Sequence, residues 1–264
     1  MNGADAFRVS ADAYEQWMGR YSTPLALAFV DFAGVMPGMR VLDVGCGPGA
    51  LTSVLADRLG PEGVVAADPS EPFVEACRRA LPGVEVVSAG GERLPFANDS
   101  FDASLSQLVV NFMQEPEAGV SEMRRVTRPG GLVTGCVWDF AGGMTLLRTF
   151  WRAAREVDPE RAATMDEAVR FREFDKGGLA TLWRAAGLDR VRVEPLVVSA
   201  SYTGFEDLWS PLPAGVGPAG AFCAALDEKR RAALHDALHR RLEVRDGRFE
   251  LSARAWAVVG TVPA

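Results

Sequence analysis

The stretch Val41-Leu42-Asp43-Val44-Gly45-Cys46-Gly47-Pro48-Gly49-Ala50-Leu51-Thr52 constrains this chain more than any other. A short apolar run, broken by one acid, leads into three glycines and then into a helical pattern. That reads as a strand, a tight turn and a helix start in immediate succession. The glycines let the backbone turn sharply and approach a ligand closely. Asp43 lies where a buried parallel strand should be apolar, so its charge needs a partner, either a ligand cation or the amides of the glycine loop. Val64-Val65-Ala66-Ala67-Asp68 reads as a second strand ending in another acid, 23 residues after Gly45 (68 − 45). This spacing sets a carboxylate beside the loop, within reach of a ribose diol.

Further landmarks follow in order: Leu94-Pro95-Phe96, Ser100-Phe101-Asp102 and Arg128-Pro129-Gly130-Gly131. With the loop and Asp68, they make the stretch from 38 to 137 resemble the core of the class I S-adenosylmethionine-dependent methyltransferases that act on small molecules. The resemblance implies an α/β fold: a Rossmann-like, doubly wound, seven-stranded sheet, mostly parallel with the last strand antiparallel, plus N-terminal helices and a helical cap insertion. It implies S-adenosyl-L-methionine as cofactor and an enzyme moving its methyl group to a small acceptor by in-line displacement. Gly45, Cys46 and Gly47 would lie against the cofactor's methionine and ribose, and Asp43 would hold the loop and favour the amino group. Asp68, followed by Pro69, would accept the ribose hydroxyls. Gln107 and Leu108 would face the methionine portion, and Arg20 and Tyr21 its carboxylate. The chain departs from the family pattern at the adenine edge. Gly90 stands where relatives carry an acid, which leaves the Gly91 amide to read the adenine and either Glu92 or water to replace that acid.

Alternating apolar patterns predict strands at 39–45, 63–68, 84–88, 101–106 and 131–137, with helices at 50–59, 71–80 and 115–127 between them. A crossover helix at 177–186, a strand at 190–199, a charged amphipathic helix from Asp227 to Leu242 and a final strand from Phe249 to Val259 complete the pattern. Upstream, Tyr14, Trp17 and Tyr21 at helical spacing make one aromatic face, and Pro24 is expected to open a second helix. The chain is expected to be a single domain over 1–264, with a helical lid at 1–37, the cofactor-binding core at 38–137, a cap at 138–176 and the rest of the sheet at 177–264.

Aromatic residues fill the cap segments. The acceptor pocket is expected to be lined by Trp17, Asn111, Phe112, Trp138 and Phe140, with Tyr21 nearby. No catalytic residue stands out; Tyr21, Asp139 and Glu115 qualify as bases by location alone, and the fourth-strand end offers Asn111 as a further catalytic candidate. His235-Asp236-Ala237-Leu238-His239 superficially resembles a zinc-protease helix. It lacks that motif's glutamate, is flanked by arginines and reads as a solvated helix, so no metal is expected.

A net charge of −7 and a pI near 5.0 argue against duplex nucleic acid and anionic membrane partners. Cys46, Cys77, Cys136 and Cys223 form no CxxC pair and read as reduced thiols. Neither a signal peptide nor a transmembrane run is evident, so a cytoplasmic location is expected, as monomer or homodimer. Two other readings stand. Gly45-x-Gly47-x-x-Ala50 satisfies a loose dinucleotide fingerprint, so a nicotinamide dehydrogenase is one alternative. A methyltransferase-like fold that binds cofactor without turnover is the other.

Overall fold

The computed structural model describes residues 15–242 and 247–264. Its centre is one seven-stranded sheet in the order β3-β2-β1-β4-β5-β7-β6. The strands are β1 (Val41–Val44), β2 (Val64–Asp68), β3 (Glu85–Ser88), β4 (Phe101–Gln107), β5 (Thr127–Trp138), β6 (Asp189–Tyr202) and β7 (Phe249–Thr261). β7 runs antiparallel to both neighbours and the other six strands are parallel. Every residue of β1 and β2 is buried, as expected of strands covered on both faces. The helices α2 (Ala50–Leu59), α3 (Glu71–Ala80), α4 (Pro116–Val126) and α8 (Lys176–Ala185) make the crossovers.

The sequence landmarks serve the frame. Asp102 accepts from the Arg40 amide and pairs with Arg128, tying the entry of β1 to β4 and β5. On α4, Glu122 accepts from the Leu94 amide, while Arg125 reaches the carbonyls of Leu94 and Phe96. This pins the loop that carries Gly91 and Glu92.

Three features differ from the sequence expectation. First, α1 (Arg20–Ala33) runs straight through Pro24, which does not open a helix of its own. Pro24 has no N–H for the carbonyl one turn back, and a π turn, Glu15–Gly19, immediately precedes α1. Tyr14, the first member of the predicted aromatic face, lies outside the described residues.

Second, the cap has two sources. The insertion after β5 forms α5 (Thr145–Val157), α6 (Pro159–Met165) and α7 (Glu167–Arg170). The connection from β6 to β7, in which only the helix from Asp227 to Leu242 was expected, adds α9 (Phe205–Trp209), α10 (Gly217–Ala224) and α11 (Glu228–Leu242). Leu234, Ala237 and Leu238 bury one face of α11, which packs on α5.

Third, β6 and β7 are longer than predicted and pair from Asp189↔Thr261 to Tyr202↔Phe249, whereas β5 reaches β7 only as far as Trp138↔Ala255. The extra ladder projects beyond the C-terminal ends of the parallel strands, where ligands of such sheets bind. Among the described residues no helix is long and apolar enough to cross a membrane.

Candidate active site

A cavity of about 770 Å³ opens at the C-terminal ends of β1, β2 and β4, a size suited to a small-molecule ligand. The glycine loop forms its floor. Gly45 and Cys46 both donate to the Ala67 carbonyl, folding the loop over β2. Gly45 has φ +79°, and a Cβ there would meet Val109 at 2.5 Å, so both backbone and space demand glycine. Open space lies above Gly47, whose amide donates to Asp68 Oδ2 at 2.9 Å. The Ser70 amide donates to Asp68 Oδ1 at 2.8 Å. Burial pushes the Asp68 carboxyl up, and these two amides oppose the shift.

Asp43 is fully buried. Its Oδ2 accepts from Thr52 Oγ1 at 2.6 Å, and its Oδ1 has no partner. Burial pushes its pKa up to about 7, with the Asp68 charge adding to the effect. At the β4 end, Gln107 Nε2 donates to the Ser22 carbonyl while Gln107 Oε1 is unpartnered. Leu108 follows with φ +62°, a left-handed backbone that costs a branched residue about 1–3 kcal/mol. It turns the chain so that Leu108 borders this cavity and a second one.

The cavity wall is acidic. Asp43, Asp68, Glu71, Glu92 and Glu115 line it, and no lysine, arginine or histidine among the described residues does. Such a wall favours a cationic ligand and opposes the pyrophosphate of a dinucleotide.

The second cavity is a narrow slot of about 50 Å³ beside the first, bordered by Trp17, Asn111, Phe112, Trp138 and Phe140, by Glu167, and by the cap and first turn of α10 at 216–219. Phe112 borders both cavities.

Ten of the residues expected at the cofactor, Asp43, Gly45, Cys46, Gly47, Asp68, Pro69, Gly91, Glu92, Gln107 and Leu108, gather around the large cavity. Arg20 and Tyr21 do not. Arg20 holds Asp207 and the Ser201 carbonyl and lies over the Tyr202 ring. The Tyr21 hydroxyl pairs with that of Tyr202, and burial raises its pKa further above the ordinary phenol value. Both side chains fasten α1 to the β6 extension, and neither lines a cavity. Asp139 is bound by Arg254 Nε at 2.8 Å and by Arg254 Nη2, and lines neither cavity. His235 is held between Glu206 and Asp236 on the outer helices, away from both cavities.

Sequence reading missed Ser22, Glu71 and Glu167. Glu71 opens α3, a position where an acid serves the helix itself. The signals that link Ser22 and Glu167 to the site lie in tertiary contact alone.

The methyltransferase domain family matches residues 42–134 of the chain. The ubiquinone/menaquinone biosynthesis C-methyltransferase of Burkholderia vietnamiensis is 34% identical over 176 residues, covering 61% of this chain and 71% of that protein. The demethylmenaquinone methyltransferase of Renibacterium salmoninarum is 39% identical over 102 residues, covering 39% of this chain and 42% of that protein. Against the first curated relatives the chain spans 32% to 42% of their length. A crystal structure of a putative methyltransferase from Bacillus halodurans superposes with a TM-score of 0.60 at 17% identity, covering 90% of this chain and 99% of that one. The chain belongs to the class I S-adenosylmethionine-dependent methyltransferases. The cofactor of that family is a sulfonium with an ammonium group and a ribose diol, and the acidic cavity, the unpartnered Asp43 Oδ1 and the open space above Gly47 fit it.

Proposed function

We infer that the protein transfers the methyl group of S-adenosylmethionine to a small, partly apolar acceptor held in the slot between Leu108 and the two-part cap. The observation that carries this reading is an acidic cavity, shaped by the glycine loop, sharing the Leu108 and Phe112 wall with an aromatic slot. The cofactor supplies an activated methyl group, and the protein supplies alignment.

Asp68, already oriented by two amides, accepts the ribose hydroxyls. Asp43 Oδ1 takes the amino group. The slot is too small for a ring as it stands, so an acceptor enters as residues 216–219 and Trp17 part. The relatives' names, concerned with menaquinone and ubiquinone, support a ring-bearing acceptor.

Calorimetric titration with S-adenosylmethionine and with S-adenosylhomocysteine tests the reading. Micromolar binding of both supports it, whereas a folded protein that binds NADH and neither of these overturns it.

Glu92 takes over the work of the acid missing at Gly90. A Cβ at position 90 would lie 3.3 Å from Glu92 Oε2, so this carboxylate sits beside the vacated place. Its Oε1 accepts from the Gln114 amide at 2.9 Å, holding the loop that closes the adenine end. Glu92→Ala is expected to weaken S-adenosylmethionine binding about tenfold, the effect of losing one charge-assisted hydrogen bond. Calorimetry showing unchanged affinity in this variant would sink the assignment.

A further inference from the structure

The slot contains polar groups that the fold does not satisfy. Asn111 is 5% exposed, and neither its Oδ1 nor its Nδ2 has a hydrogen-bond partner. A buried amide without partners is destabilising unless a ligand completes it. Glu167, at the start of α7, is 3% exposed and also borders the slot. Its Oε2 accepts from Trp151 Nε1.

The charges around Glu167 are arranged to leave it alone. Its neighbour Asp166 takes Arg148 Nη1 at 2.8 Å and Arg155 Nη2 at 2.7 Å, both from α5, and accepts from the Ala168 amide. Arg170 lies over the Phe171 ring. Among the described residues no cation pairs with Glu167 itself. Burial pushes its pKa up to about 7; the Asp166 charge adds to this, while the backbone, Trp151 and Arg170 oppose it. A carboxyl so placed exchanges a proton near neutral pH.

We propose that Glu167 is the proton acceptor of methyl transfer and that, with Asn111, it selects a flat acceptor carrying an acidic hydroxyl, a phenol or an enol. The inference rests on the methyl-transfer reading and gives it a substrate class. Trp17, Phe112, Trp138 and Phe140 offer aromatic surfaces to a ring. Asn111 offers one donor and one acceptor to its substituents.

The step balances. The acceptor O–H proton passes to the Glu167 carboxylate, and the acceptor's oxygen, or its conjugated carbon, bonds to the methyl group. The S–CH₃ electron pair returns to sulfur, and the proton leaves to solvent with the product. One positive and one negative charge disappear together, which a low-dielectric pocket favours.

The test uses the full chain saturated with S-adenosylhomocysteine and 4-nitrophenol as probe, whose phenol and phenolate forms differ in colour. At pH 8, wild type is expected to bind the probe with loss of the phenolate band, because Glu167 and the phenol oxygen share one proton. Glu167→Gln, which keeps an acceptor for Trp151, is expected to bind the probe with the phenolate band retained. Asn111→Leu is expected to weaken probe binding about tenfold or more, the effect of one lost buried hydrogen bond, with S-adenosylhomocysteine affinity unchanged. With phenols that are methylated, Glu167→Gln should lower kcat about 100-fold or more, and the defect should shrink as the acceptor becomes more acidic, which a merely structural role would not produce. The proposal is overturned if wild type ignores the probe while binding S-adenosylhomocysteine, or if the band responds identically in wild type and Glu167→Gln. Failure of S-adenosylhomocysteine to bind would instead overturn the methyl-transfer reading beneath it.

Discussion

Asp68→Ala is expected to abolish cofactor binding at micromolar concentrations while leaving a folded protein. Asp68 ends β2 with both oxygens held by backbone amides, so its remaining lone pairs have a fixed direction before any ligand arrives. Two hydroxyl donors to an ionised acceptor contribute about 1.5–3 kcal/mol each. Their loss corresponds to roughly two to four orders of magnitude in Kd. The variant also orphans the Gly47 and Ser70 amides, which lie where water can reach them, and the glycine loop slackens as a result. Calorimetry of wild type and variant with S-adenosylmethionine checks this, with circular dichroism as the control for folding. A Kd within tenfold of wild type would remove Asp68 from the site.

Asp43→Asn should have opposite effects on stability and on binding. An unfolded aspartate titrates near the ordinary value of 3.8, whereas Asp43 in the fold titrates near 7. Between those values the folded state holds the extra proton. The stability of the cofactor-free protein therefore falls as pH rises from about 4 to 7, and the loss is complete above 7. About three pH units correspond to on the order of 4 kcal/mol. Asparagine removes this slope but leaves an amide hydrogen without an acceptor, which costs about 1–3 kcal/mol. The net expectation is a variant more heat-stable than wild type at pH 8 and little changed at pH 5. Binding runs the other way: the cofactor's ammonium needs the ionised carboxylate, so wild-type affinity should rise as pH climbs through 7. The variant should bind at least tenfold more weakly at pH 8 and show little pH dependence, as expected when a charge-assisted contact is lost. Melting curves and titrations at pH 5, 6, 7 and 8 measure both effects. A flat wild-type pH profile, or a variant less stable at pH 8, would contradict the account.

The two residues behind these predictions were legible because their signals are local. An acid inside an apolar run and an acid at a strand end, each at fixed distance from a glycine loop, are patterns of a few dozen residues. The engagement of Arg20 was hidden for the opposite reason. Its partner Asp207 lies 187 residues away, so nothing near Arg20 reveals that the guanidinium is already engaged. The contact of Tyr21 with Tyr202, 181 residues on, was hidden in the same way. Glu167 gave no signal because α7 is one turn long and its neighbour Asp166 masks it with an ordinary capping pattern. The charged run of α11 looked solvated because its three arginine-flanked apolar positions meet α5 only in the folded cap. Core and cofactor floor are written in periodicity and turns; the acceptor slot is written in contacts between two insertions far apart in the chain.

The carboxylate wall also bears on turnover. Before transfer the cofactor carries a fixed positive charge at sulfur, and afterwards that sulfur is neutral. Five acidic side chains with no basic counterweight among the described residues therefore hold what enters more strongly than what must leave. The chemistry loosens its own grip: the electrostatics that draw the fresh cofactor in hold the spent one less strongly.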